Sequence, residues 1–414
     1  MNAPRPPLMP LDEALERLLA AVQPLAPQVV PTLDADGRVL AQDVVSALQV
    51  PAFDNSAMDG YAVRSQDCGQ AGAILRVTQR IAAGHSGGPL GEGEAARIFT
   101  GAPMPPGADA VVMQEDTEAL DGPPAQVRVR TDVPAGQWVR RSGEDVQRGQ
   151  TVLRAGQRLG PAELGLAASL GLAQLQVGAR PRVALFSTGD ELVMPGDVPP
   201  EQLRPGAIYN SNRFFLRALL QRMGCEVSDL GIVPDRREAT VAALQQAAQA
   251  HDLILTSGGV SVGEEDHVKP AVQQLGELML WQIAMKPGKP LAYGHVRRTD
   301  GAAHFVGLPG NPVSSFVTFC LLVRPMLQRL QGAAVEPMQA QPMRADFDWP
   351  RPDKRREFLR VRRNAQGGLD LFTNQSSGVL TSMVWADGVI DVASRQTIAR
   401  GDTVAYLPLS QWLS

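Results

Sequence analysis

Between residues 182 and 330, short runs that are apolar at every position alternate with segments of helical period, and this restricts the possible folds more than any other feature of the chain. Residues 183–186 read as a buried strand, 212–223 as a helix closed by Gly224, 227–233 as a strand, 236–250 as a helix and 253–255 as the next strand. An apolar run at 278–283, a strand at 305–308 and a long helix from Pro312 to about Leu330 complete the series. Strands without polar alternation are buried on both faces, so the expected unit is a mostly parallel sheet with helices on each side.

The texture changes on either side of this unit. Residues 11–22 carry apolar side chains at helical spacing, and Pro24 and Pro27 end that helix. From about residue 30 to 154, β-prone runs at 74–77, 110–113 and 126–129 are divided by clusters of Gly and Pro, which predicts short strands. A small helical segment follows at 160–175, and β-prone runs return at 358–361, 369–372 and 403–407. A chain of 414 residues with 44% hydrophobic content exceeds one ordinary core, so the fold class expected is multidomain α/β and β, with β-rich modules flanking a central α/β unit.

A balance of 39 basic and 43 acidic residues, net −4, gives no electrostatic reason for nucleic acid or an anionic membrane to be the partner. Small molecules are the expected ligands. No stretch approaches the roughly 18 apolar residues that span a bilayer, and the start has no signal-peptide pattern. Cys68, Cys225 and Cys320 are far apart and form no CxxC pair, which fits a reducing cytoplasm.

In a parallel sheet, ligands bind beyond the carboxyl ends of the strands. Four loops qualify here: residues 187–191 (STGDE), 234–235, 256–266 (TSGGVSVGEED) and 307–315 (GLPGNPVSS). Gly258, Gly259 and Gly263 let the backbone turn its N–H groups toward a phosphate-like ligand, although such a loop also serves as a plain connection. Asn311 followed by Pro312 resembles an N-cap whose next N–H groups are free for an anion; it is equally an ordinary helix start. The chain has only four lysines, Lys269, Lys286, Lys289 and Lys354, and three fall close together. Residues 285–290 (MKPGKP) hold two of them on a stretch stiffened by two prolines, as a fixed multivalent oxyanion would require. Asp190, Glu191, Asp235, Glu264, Glu265 and Asp266 share the rim and suit Mg²⁺, which takes oxygen ligands. The five histidines and three cysteines show no zinc spacing. Asp59 and Thr100 fall in turn-forming runs that point to no function by themselves.

These segments, which stand as NSAMDGYAV, RIFTGAPMPPGADAVVMQED, SGEDV, STGDEL, SNRFFL, TSGGVSVGEED, MKPGKPLAYG and GLPGNPVSS, together resemble the molybdopterin molybdenumtransferase family, known as MoeA in bacteria and as the E-domain of gephyrin in animals. The resemblance implies a discontinuous linker domain at 1–50 and 140–178, an inserted β-domain at 51–139, an α/β molybdopterin-binding domain at 179–332 and a β-barrel-like C-terminal domain at 333–414. It further implies a homodimer whose cleft lies between the α/β domain of one subunit and the inserted domain of the other. The implied reaction is Mg²⁺-dependent: adenylylated molybdopterin and molybdate give molybdenum cofactor and AMP.

Carried over by motif, Glu191, Asp235 and Asp266 would hold metal and phosphoanhydride, with Asp59 and Asp145 completing the acidic lining. Lys286, Lys289, Arg360 and Ser377 would hold molybdate, while Thr100, Gly258, Gly259, Ser261 and Ser314 would contact the pterin phosphate or the anion. Two other readings are a molybdopterin adenylyltransferase, which resembles the α/β domain alone, and a non-catalytic scaffold of the same fold.

Overall fold

The computed structural model of the chain describes residues 8–259 and 267–413. Its central sheet has six strands, ordered Glu226–Val233, Arg182–Thr188, Leu253–Ser257, Gly301–Leu308, Pro290–Arg298 and Gly276–Gln282. The first four run parallel, and the last two add antiparallel at one edge, so the sheet is mixed. Its two faces enter different cores. Val183, Leu185, Leu253, Leu255 and Val306 face one side, and Ala184, Phe186, Ile254 and Phe305 the other. That two-sided burial is why residues 183–186 and 253–255 are apolar at every position.

The first core is covered by the helix Ser211–Arg222 through Leu216 and Leu220, and the second by Arg237–Ala250 through Leu244 and Ala248. The helix Leu11–Ala20, expected in the linker module, instead buries Leu11, Ala14 and Leu18 in the first core beside Met326, Leu327 and Leu330. The helix expected from Pro312 to Leu330 runs as three consecutive pieces: Pro312–Thr318, a wide π turn at Phe319–Val323, and Arg324–Leu330. Pro325 supplies no N–H and its ring crowds the preceding turn, which a wider turn accommodates.

The inserted module is a six-stranded sheet ordered Ala110–Met113, Gly60–Val63, Glu94–Ile98, Ile74–Ile81, Gln126–Val129 and Thr117–Leu120. Two short antiparallel pairs and the helix Pro161–Ser169 form a separate small core through Leu40, Leu153, Leu159, Ala167 and Val177. At the C-terminal end, Arg356–Arg363 pairs with both Gly368–Leu371 and Gly388–Val392, closing a barrel-like sheet. Among the described residues no helix is long and apolar enough to cross a membrane.

On the central sheet, with His304 level with the amino end of the strand Leu253–Ser257, the Tyr293 hydroxyl lies 3.2 Å from His295 Nε2 and 3.0 Å from His304 Nδ1, and Trp281 stacks on the phenol ring. Burial lowers the pKa of both imidazoles, that of His304 to about 4. A histidine that folding holds neutral stabilises the fold fully above its unfolded pKa of about 6.5, and that contribution is lost as pH falls toward the folded value. His304→Gln is therefore expected to flatten the decline of the thermal midpoint between about pH 6.5 and 4.5; an unchanged slope would contradict this account.

Candidate active site

The four parallel strands bring their carboxyl ends to one rim, and two adjoining cavities open there. The first, about 570 Å³, is walled by Gly258 and Gly259, by the loop from Lys286 to Pro290, by Pro309, Gly310, Asn311 and Ser314, and by Arg355, Gln375, Ser376 and Ser377 of the C-terminal module. The second, about 550 Å³, is lined by Thr188, Glu191, Asn210, Asn212 and Ser257 among others. Both include Gly258, Gly310 and Asn311, so they are neighbouring compartments of one trough. Gly258 has φ +92°, and an added β-carbon would lie 2.9 Å from the Thr188 carbonyl oxygen, so the narrow wall between compartments requires glycine.

Lys286 is positioned by strand pairing. Met285–Lys286 runs parallel to the start of Arg356–Arg363, in the register Lys286 to Glu357. The Lys286 ammonium donates to Glu357 Oε1 at 2.9 Å and lies 3.6 Å from Asp353 Oδ2. Glu357 is 1% exposed, and its other oxygen accepts from Trp349 Nε1 at 3.0 Å. Asp353 is held well below the usual carboxylate range, first by hydrogen bonds from the Arg355 side chain. One lysine is thus fixed and largely neutralised by its partners. Lys289, three residues on and half-buried, makes no side-chain hydrogen bond or ion pair among the described residues. Its charge is available to the cavity. Between them Gly288 adopts φ +108°, and a β-carbon there would overlap Thr318 and Met285.

The structure corrects the expectation for Arg360. That residue is 1% exposed and lines neither cavity; its guanidinium donates to Ser382 Oγ and to the carbonyls of Phe358 and Ser376. Strand geometry turns it inward, where burial pushes its pKa down to about 10. It acts on the cavity through its neighbours, because its backbone also exchanges hydrogen bonds with Gln375 and so anchors the Gln375–Ser377 wall. The guanidinium on the wall is that of Arg355. The N-cap reading needs a similar correction: Asn311 makes no side-chain cap bond, and the Val313 N–H donates to the Ser377 carbonyl, which closes the helix start against the C-terminal module.

The remaining expected residues separate. Ser314 and Ser377 join the lysines in the first compartment, and Glu191 lies in the second. Asp235, half-buried beyond the edge strand Glu226–Val233, lines neither. Asp145 is exposed on the linker module. Asp59 and Thr100 lie on the inserted module, where Asp59 Oδ1 accepts from both the Thr100 N–H and hydroxyl at 2.8 Å. Those bonds hold the Asp59 carboxyl below its ordinary pKa. Ser261, Glu264, Glu265 and Asp266 lie outside the described residues. Among the described residues no three acidic, histidine or cysteine side chains converge as a metal cluster.

Sequence reading missed three residues. Glu357 and Arg355 precede Arg360 closely in sequence, but only the pairing of Met285–Lys286 with the strand Arg356–Arg363 brings them to the lysine loop. Asn212 donates to Ser257 Oγ and to the Gly310 carbonyl, joining three elements of the rim.

Residues 184–329, the span of the central sheet and its trough, match the family described as "Probable molybdopterin binding domain", which defines the class of the α/β unit. Residues 9–171 match "MoeA N-terminal region (domain I and II)" and residues 342–409 "MoeA C-terminal region (domain IV)". The chain is 41% identical to the molybdopterin molybdenumtransferase of Haemophilus influenzae over 78% of each chain, and 38% identical to that of Synechococcus elongatus over 91% of this chain and 93% of the relative. It resembles the crystal structure of the molybdopterin biosynthesis MoeA protein of Pyrococcus horikoshii at TM-score 0.79 and 31% identity, covering 97% of this chain and 99% of that one. The chain belongs to the molybdopterin molybdenumtransferase family, MoeA.

Two outcomes test this geometry. Glu357→Ala leaves Lys286 and the Trp349 N–H short of an acceptor and is expected to destabilise the protein by ~2 kcal/mol in urea unfolding, with Glu357→Gln recovering part of that loss. Gly288→Ala is expected to displace the lysine loop and weaken binding of oxyanions to the first compartment, measured by calorimetry, while the central sheet stays folded. Wild-type affinity in that variant would contradict the placement of the loop.

Proposed function

We propose that this chain is a molybdopterin molybdenumtransferase that inserts molybdate into adenylylated molybdopterin, giving molybdenum cofactor and AMP. The observation that carries this reading is the paired state of the two lysines on one cavity wall: Lys286 fixed by Glu357, Lys289 unpaired among the described residues. A tetrahedral dianion needs convergent donors with at least one uncompensated positive charge, and Lys289, Ser314 and Ser377 supply donors of that kind. Similarity to molybdenumtransferases over more than nine-tenths of both chains supports this function over an adenylyltransferase built from the α/β unit alone.

The second compartment is lined by the Glu191 carboxylate, by hydroxyls of Thr188 and Ser257 and by amides of Asn210 and Asn212, a donor set suited to a hard cation and phosphate oxygens. Glu191, the carboxylate that lines this compartment, would hold Mg²⁺ together with Asp266 of the family motif, and the ion would supply Lewis-acid stabilisation of charge developing on the adenylate phosphate. Glu191 and the rim amides orient the phosphoanhydride beside the first compartment, and Lys289 stabilises the anion that approaches it.

Asp59 and Thr100 form a preset hydrogen-bonded pair that lines neither compartment of its own chain, which supports a homodimer in which a second copy brings them to the trough. Cys68, Cys225 and Cys320 are buried and unbridged, which suits a reducing cytoplasm.

Purified protein supplied with Mg²⁺, molybdate and adenylylated molybdopterin is expected to release AMP, and Lys289→Met or Asp266→Asn is expected to slow that release by about 10²-fold without unfolding the protein. Unchanged turnover in both variants would refute the assignment of these residues.

A further inference from the structure

At the opposite end of the central sheet, where the linker module meets the α/β unit, lies a cavity of about 210 Å³. Four arginines line it: Arg38, Arg158, Arg180 and Arg222. Arg38 is 8% exposed, yet its guanidinium bonds only to a neutral acceptor, the Gly178 carbonyl at 2.8 Å. Arg158 likewise donates to the Gly37 carbonyl at 2.6 Å and to Gln331 Oε1 at 3.3 Å. The guanidinium groups of Arg180 and Arg222 are exposed and make no bond or ion pair among the described residues. Asp36 is the acidic residue on this lining, it too is exposed, and it pairs with none of the four; Glu226 acts on Arg38 only at longer range.

Buried charge is ordinarily matched by opposite charge, because neutral dipoles alone leave much of the desolvation cost uncompensated. Here four cations converge on a cavity with no carboxylate paired to them. Burial, and then repulsion from Arg180, lowers the pKa of Arg38, as expected for a site that lacks its counter-charge. Guanidinium forks match tetrahedral oxyanions in bidentate geometry. The floor is backbone brought very close, since a β-carbon on Gly178 would collide with the Gln331 carbonyl. No residue of this cavity lines either compartment of the trough.

We infer that this cavity is a second oxyanion site, taking an inorganic tetrahedral oxyanion or the terminal phosphate of a small ester. Arg38 and Arg158 come from the linker side and Arg180, Arg222 and Gln331 from the α/β side, so a bound anion ties the two units together. The site is independent of the molybdate reading for the rim.

Calorimetric titration of the full-length protein with inorganic phosphate at low salt tests this, comparing the wild type with Lys289→Met and with the double variant Arg180→Ala/Arg222→Ala. The two exposed, unpaired arginines are chosen because their loss leaves the fold intact. Lys289→Met is expected to retain a phosphate site that the double variant weakens by about tenfold or more, ~1.4 kcal/mol. AMP release by the double variant should stay unchanged. Repeating the titration with ribose 5-phosphate separates the sources: tighter binding of the ester assigns the site to a phosphorylated small molecule, and tighter binding of phosphate to a free anion, either result upholding the site. Wild-type phosphate affinity in the double variant, or loss of all phosphate binding in Lys289→Met, would overturn it. So would dissociation of a wild-type oligomer by the double variant with phosphate binding unaltered, since the arginines would then face a second copy.

Discussion

The hydrogen bond between Lys286 and Glu357 is the interaction on which the rest of the site depends. It crosses from the central unit to the C-terminal barrel, and parallel pairing of Met285–Lys286 with Arg356–Arg363 sets its register. Without that pairing the lysine loop would be a proline-stiffened excursion from a sheet edge. With it, the loop becomes a shared wall, and Arg355, Gln375 and Ser377 face Gly258 and Ser314 across one cavity. A fully buried carboxylate that also receives the Trp349 N–H leaves little freedom for the ammonium it binds. The two lysines therefore serve different ends: Lys286 fixes the wall and Lys289 charges it.

The same seam explains two details that local sequence did not foretell. Arg360 lies behind the wall, bonded to the Ser376 carbonyl and Ser382 hydroxyl, so its contribution is to hold the Gln375–Ser377 segment in place. The Val313 N–H at the start of the Pro312–Thr318 helix is taken by the Ser377 carbonyl. Donors that a helix start would offer to a ligand are thus partly spent joining two modules. The rim is built from module contacts as much as from the parallel strands that define it.

The α/β unit was legible in the sequence because two-sided burial writes itself as uninterrupted apolar runs, and the runs at 183–186, 253–255 and 305–308 lie within the strands Arg182–Thr188, Leu253–Ser257 and Gly301–Leu308. Gly258, Gly259, Lys286, Lys289, Ser314 and Ser377 were legible in the motifs, and the structure brings these six to one cavity. What was not legible depended on contacts distant in sequence. Glu357 is 71 residues from Lys286, and nothing local marks it as a lysine partner. The Leu11–Ala20 helix shows an apolar stripe, but which core receives it is decided by Met326, Leu327 and Leu330, over 300 positions away. The π turn was hidden because apolar spacing looks continuous through Pro325. Arg38 and Arg158 were invisible for the converse reason, since an isolated arginine in a loop gives no sign that it will be buried.

In the proposed reaction the wall formed by Lys286 and Lys289 seats molybdate. Anomalous diffraction at the molybdenum edge, from crystals soaked with molybdate, tests it most directly. A molybdenum peak is expected in the first compartment, within hydrogen-bonding reach of Lys289 and close to Ser314 and Ser377. Peaks confined to other parts of the molecule, with that compartment holding only water, would contradict it.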